Sequence, residues 1–93
     1  MKVAIIGAGL IGAERIEAVK KISKLTEGAV KLEAVYDFDV IRREQIESKY
    51  NVPVIDSIHS IFQKDPDWVF VCTPHDVAGE IVISALNIGS NVL

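Results

Sequence analysis

A chain of 93 residues, 49% hydrophobic and 25% charged, has room for one small domain or part of a larger one. The formal net charge is −3 and no basic cluster exceeds Lys20, Lys21 and Lys24, which argues against a nucleic-acid-binding surface. One cysteine, Cys72, excludes an internal disulfide and suits a reducing cytoplasm, and no apolar run approaches the ~20 residues needed to cross a bilayer.

Lys2 to Ile6 reads as a short strand, apolar enough to be covered on both faces as in a parallel sheet. It stops at Gly7. Leu10 to Leu25 follows as a helix. Ile11, Ile16, Ala18, Val19, Ile22 and Leu25 are predicted on its inner face; Glu14, Glu17, Lys20, Lys21 and Lys24 face water. Thr26-Glu27-Gly28 ends it, and Val30 to Tyr36 is a second strand. Asp39 is placed to cap a second helix, Val40 to Tyr50, with Ile41 and Ile46 inward. Val52 to Ile55 is predicted as a third strand, sent to an edge by Pro53. Asp56 or Ser57 caps a short helix through Gln63, and Trp68 to Cys72 is a fourth strand. Asp76 opens a helix that ends at Gly89, and Asn91 to Leu93 begins a fifth strand.

Strands and helices that alternate with short connections imply parallel strands, right-handed crossovers and helices on both faces. No internal repeat, low-complexity tract or linker interrupts the pattern. The expectation is one domain over residues 1–93, cut within its fifth strand and so a piece of a longer chain.

Three glycines at the first strand-to-helix joint carry the functional signal. Gly7-Ala8-Gly9-Leu10-Ile11-Gly12 is G-x-G-x-x-G, directly after a buried-type strand and at the start of a helix. In that setting Gly7 permits the tight turn and Gly9 lets a pyrophosphate approach the backbone. Gly12 brings the helix close to the sheet. The helix start, at Leu10 and Ile11, offers unpaired N–H groups and about half a unit of positive charge to phosphates. Asp37 ends the second strand 25 residues beyond Gly12, against roughly 20 in the fingerprint; a long first helix and its connection account for the excess. A carboxylate there accepts hydrogen bonds from ribose hydroxyls and repels a 2′-phosphate, which favours NAD. Arg42 and Arg43 leave NADP open: either can reach a 2′-phosphate, or else they are solvated, paired with Glu44 or Glu47, or stacked near adenine. The plainer reading of Asp37 is a helix cap, but Asp39 suits that better.

The fold expected is a Rossmann-type doubly wound α/β sheet of order 3-2-1-4-5. Its first and fourth strands flank the switch point, so Thr73, Pro74 and His75 are expected to face the cofactor. Cys72 reads as a buried strand residue, and His59 as an exposed one. No metal-ligand spacing, nucleophile motif or Walker lysine is present, and no catalytic residue is assigned.

The stretches "KVAIIGAGLIG", "AVYDFD", "KYNVPVIDSIHSIF" and "DWVFVCTPHDVAGEIVISALNIGSNVL" together resemble the N-terminal domain of the Gfo/Idh/MocA oxidoreductases, the family of glucose–fructose oxidoreductase and inositol dehydrogenase. The resemblance covers the whole chain. It implies an enzyme that moves hydride between a nicotinamide and a secondary alcohol or ketone on a sugar, cyclitol or related polyol. It also implies a Glu-Lys-Pro segment soon after Leu93, and a second domain carrying the acid/base pair and the substrate surface; a homo-oligomer is left open. The family often reads "T-P-N-x-x-H" where this chain has Thr73-Pro74-His75-Asp76-Val77-Ala78, so His75 replaces the asparagine and Ala78 the histidine. Two rival readings stand beside it: a non-catalytic module that senses the dinucleotide, and the cofactor domain of an amino-acid or homoserine dehydrogenase.

Overall fold

The alternating side chains of the first strand divide the core in two. The computed structural model describes the backbone of residues 1–93 and the side chains of all except His75 and Asp76. Strand β1 (Lys2–Ile6) sends Val3 and Ile5 to one face of the sheet and Ala4 and Ile6 to the other, and all four are buried. Helices α1 (Leu10–Leu25) and α2 (Val40–Tyr50) cover the first face through Ile16, Val19, Ile46 and Tyr50. Helices α3 (Ile58–Gln63) and α4 (His75–Asn87) cover the second through Ile61, Ile81 and Ala85. The sheet between them runs β2 (Lys31–Tyr36), β1, β3 (Trp68–Val71), β4 (Asn91–Val92), with every neighbouring pair parallel. This is the doubly wound α/β architecture expected.

Four local expectations need correction. The third strand is reduced to a single bridge, Val54 to Val35, on the outer side of β2, so the sheet has four strands rather than five. There Val35 N donates to Pro53 O and Ile55 N to Val35 O. Pro53 has no N–H of its own, as befits an edge. Cys72 lies just past β3, although its N–H still donates to Ile6 O at 2.8 Å.

The inner stripe of α1 is also narrower than predicted. Gly12, Ile16 and Val19 are buried, whereas Ile11, Ala18, Ile22 and Leu25 are exposed. α1 lies on β1 and β2 and touches α2, so residues flanking the stripe reach water. In α2, Ile46 is buried but Ile41 is exposed. Five residues turn a helix by about 500°, which leaves Ile41 about 140° away from Ile46.

Strand β2 contains a bulge. Val3 pairs with Leu32 but Ala4 pairs with Ala34, so Glu33 is the extra residue. Leu32 and Val35 thereby face the same helical layer although they lie an odd three positions apart. Gly89, at φ +84°, closes α4 with Gly89 N donating to Leu86 O and Ser90 N to Ala85 O.

Candidate functional site

β1, β2 and β3 all deliver their chain ends to one rim of the sheet. The segments that follow them meet there around an open cleft of about 560 Å³. Gly7 and Gly9 line it from the first turn, Asp37, Phe38, Asp39 and Arg42 from the second, and Cys72, Thr73, Pro74 and Val77 from the third.

The three glycines are required in three different ways. Gly7 sits at φ +96°, where an L side chain is strained, and a Cβ there would lie 2.7 Å from the Cys72 carbonyl carbon and oxygen. A Cβ at Gly12 would lie 1.9 Å from Gly7 O. The close packing expected of Gly12 is therefore against the turn itself. Gly9 differs from both. Its φ of −69° is ordinary, and the nearest atom to an added Cβ is Arg42 Nη1 at 3.7 Å. Nothing within the chain demands glycine there; the space it keeps opens onto the cleft.

Gly9 is also the N-cap of α1. Ala13 N donates to its carbonyl at 2.8 Å, and no side chain caps the helix. The first N–H groups of a helix have no partner within it, so those at Leu10 and Ile11 are available to an anion. The side chains of Leu10 and Ile11 are exposed.

Asp37 is only 7% exposed. Its Oδ2 accepts from Ala8 N at 2.8 Å and its Oδ1 from Asp39 N at 2.8 Å. It thus ties the second strand end to the glycine turn. Asp39, as expected, caps α2, with Oδ1 accepting from Ile41 N at 2.9 Å and Arg42 N at 3.4 Å. Each Asp37 oxygen still has a lone pair free.

The two arginines part company. Arg42 Nη1 stands 3.7 Å from Asp37 Oδ2 on the cleft wall. Arg43 turns away: its Nη1 donates to Asp37 O at 2.8 Å and its guanidinium lies 5.3 Å from the centre of the Tyr36 ring. Neither forms an ion pair with Glu44 or Glu47 among the described residues.

On the far wall, the Thr73 hydroxyl is buried and has no hydrogen-bond partner among the described residues. A buried hydroxyl in that state awaits an acceptor or donor from the cleft. Burial pushes the Cys72 thiol above its usual range, and Arg15 pulls it back by less, so the thiol is protonated at neutral pH. Pro74 is the N-cap of α4. His75, expected at this wall, lies outside the residues whose side chains are described. The sequence reading passed over Phe38 and Val77. The available signal for Phe38 was its position directly after Asp37; Val77 carries none.

Comparison with known proteins follows the same lines. A family model described as an oxidoreductase family with an NAD-binding Rossmann fold, GFO_IDH_MocA, matches residues 1–93. The chain belongs to this family. Its fold is thus that of the family's NAD-binding Rossmann domain, and its cofactor class is the nicotinamide dinucleotides. Among solved structures, it is similar to myo-inositol 2-dehydrogenase from Lactobacillus plantarum, with 27% identity and a TM-score of 0.80, over 99% of this chain and 26% of that one. It shares its fold with GenD2 from gentamicin A biosynthesis in complex with NAD, with 22% identity, a TM-score of 0.82, and 99% and 25% of the two chains covered. It shares it equally with biliverdin reductase from Synechocystis in complex with biliverdin and NADP+, with 20% identity, a TM-score of 0.84, and 98% and 28% covered. The chain spans about a quarter of the length of these relatives. Comparison with curated proteins yields no match. Among the described residues, no helix is long and apolar enough to cross a membrane, and no cluster of His, Cys, Asp and Glu is placed to hold a metal ion.

Proposed function

We propose that residues 1–93 form the dinucleotide-binding unit of a larger NAD(P)-dependent dehydrogenase acting on a secondary alcohol or ketone of a sugar, cyclitol or related polyol. One observation supports the site above the others: at Gly9 the cleft keeps room that the chain does not need, beside the uncapped start of α1. The N–H groups of Leu10 and Ile11 hold the pyrophosphate, with Gly7 and Gly12 shaping the turn that aims them. Asp37 accepts from the adenosine ribose through its remaining lone pairs. Thr73 supplies the buried hydroxyl, with Pro74 and His75 beside it, on the nicotinamide side of the cleft. The bound dinucleotide supplies the hydride-accepting ring; the chain binds and orients it. The polyol substrate rests on the myo-inositol 2-dehydrogenase likeness and on the family, and biliverdin reductase shows that this fold also serves quite different molecules.

Calorimetric titration with NAD tests the site. Wild type is expected to bind, and Gly9→Val to lose binding while keeping its thermal transition, because a side chain there meets ligand rather than protein. Equal affinities remove Gly9 from the site. For the substrate class, NAD reduction by the full-length protein over a panel of cyclitols and sugars is the measurement; turnover of none of them removes the polyol reading.

A further inference from the structure

One nitrogen of Arg42 stands beside both places that a dinucleotide would need. Its Nη1 is the nearest atom to the space that Gly9 leaves open, 3.7 Å from where a Cβ would be, and the same Nη1 lies 3.7 Å from Asp37 Oδ2. Gly9 marks the pyrophosphate and Asp37 the ribose. In a dinucleotide these two are joined through a single methylene, so a group beside both lies on the path of the ligand. Arg42 is the only cation among the described residues that line the cleft. Its hold there is loose. A separation of 3.7 Å is too long for a hydrogen bond, and the guanidinium has no hydrogen-bond acceptor among the described residues. The Arg42 side chain is half exposed, whereas the Asp37 carboxylate is nearly buried and fixed by Ala8 N and Asp39 N. Of the pair, the guanidinium is the partner free to move. Its root stays in place, because Arg42 N is held by Asp39 Oδ1 at the α2 cap.

We propose that Arg42 is an internal counter-ion that the cofactor displaces. With the cleft empty, its guanidinium screens the Asp37 carboxylate. On binding, it passes to the phosphate at Gly9, and the ribose hydroxyls take its place at Asp37. This rests on the dinucleotide reading above. The exchange makes admission depend on phosphate. A phosphorylated nucleoside supplies a new anion for the guanidinium. A free nucleoside has to displace the cation and offers nothing in return. The arm therefore selects phosphorylated ligands at the ribose site without any contact to the base.

The test compares adenosine with ADP by NMR titration at one ionic strength, on wild type, Arg42→Gln and Arg43→Gln. Arg42→Gln is expected to bind adenosine about threefold more tightly than wild type and ADP about threefold less tightly, each the size of one exposed ion pair. The two changes have opposite signs, so the ADP/adenosine affinity ratio falls roughly tenfold. Arg43→Gln removes the same charge, but the Arg43 guanidinium is held by Asp37 O, so this variant is expected to leave the ratio as in wild type. Adenosine bound no better by Arg42→Gln than by wild type, absence of binding included, overturns the displacement. So does a ratio that falls as far in Arg43→Gln, which would make the effect one of net charge. Either result leaves the dinucleotide site standing as long as wild type binds NAD. Failure of wild type to bind either ADP or NAD overturns both.

Discussion

Gly12 and Gly7 are in contact through the very atoms that a side chain would displace: a Cβ on Gly12 would fall 1.9 Å from the Gly7 carbonyl oxygen. The start of α1 and the turn before it are locked at a distance that only two glycines allow. The turn in turn is fastened to the neighbouring strands, with Gly7 N donating to Tyr36 O at 2.7 Å.

Gly12→Ala is therefore expected to destabilise the domain by at least the ~1–3 kcal/mol typical of overpacking, because the atom in the way is backbone and cannot rotate aside. Thermal denaturation followed by circular dichroism measures it. An unchanged midpoint means that α1 can slide outward freely. Gly9→Val, a bulkier change but one that opens onto the cleft, is expected to leave that midpoint nearly in place.

Asp37→Ala is expected to change stability and selectivity together. The carboxylate accepts from Ala8 N and Asp39 N while nearly buried, and bonds of this charged kind are worth roughly 1.5–3 kcal/mol each against the unmet state. Urea denaturation should show a loss at least as large as one such bond, roughly 1.5–3 kcal/mol, and paired titrations should show the NAD/NADP affinity ratio falling. A ratio that stays constant while stability drops would make Asp37 a structural tie between strand and turn and nothing more.

For the wild type, NAD is expected to bind more tightly than NADP. Asp37 is fixed by two backbone bonds, whereas Arg42, the arginine at the cleft, is half exposed and only 3.7 Å from Asp37 at its closest. A 2′-phosphate gains from Arg42 but meets the carboxylate at short range, where ~0.15 M salt screens little. Arg42→Gln is expected to weaken NADP several-fold and NAD less, whereas Arg43→Gln, whose guanidinium is spent on Asp37 O and Tyr36, should not alter the ratio. Titrations at one ionic strength decide between them.

Cys72 offers a readout of the cleft without any substrate. Only the thiolate is alkylated, and burial holds the folded thiol protonated beyond the pH at which an unfolded one ionises. Iodoacetamide should react slowly at pH 7 and faster as pH climbs past the usual thiol range. Bound NAD should slow the reaction further, because Cys72 lines the same cleft. The linkage has a definite sign: the raised thiol contributes stability that is fully present below the unfolded thiol's pKa and is lost as pH rises through the folded one. Rapid alkylation at pH 7 in the folded protein would contradict the shift.

The parts of this fold that local chemistry dictates were readable in advance. Gly7, Gly9 and Gly12 mark the turn, Asp39 caps α2, and Gly89 ends α4, because each answers to a requirement of the backbone within a few residues. What escaped depends on distant neighbours. Whether Ile22 and Leu25 are covered depends on how many elements lie beside α1, which periodicity does not count. Whether Val52 to Ile55 makes a ladder depends on its fit along β2, where one bridge forms. In the candidate site, G-x-G-x-x-G and the acid at the second strand end pointed to the rim of the sheet where the cleft lies. Phe38 did not stand out, since an aromatic residue after a strand is expected to be core until its exposure is known.

The extra residue at Glu33 divides β2 into two halves with independent phase. Ala34, Val35 and Tyr36 stay in step with Ala4, Ile5 and Ile6 and carry Asp37 to its place beside the glycine turn. Lys31 and Leu32 follow a different step, set by the connection from α1. A residue gained or lost in that connection can be taken up at the bulge, so Asp37 is insulated from changes in loop length that would otherwise rotate it out of reach of Ala8.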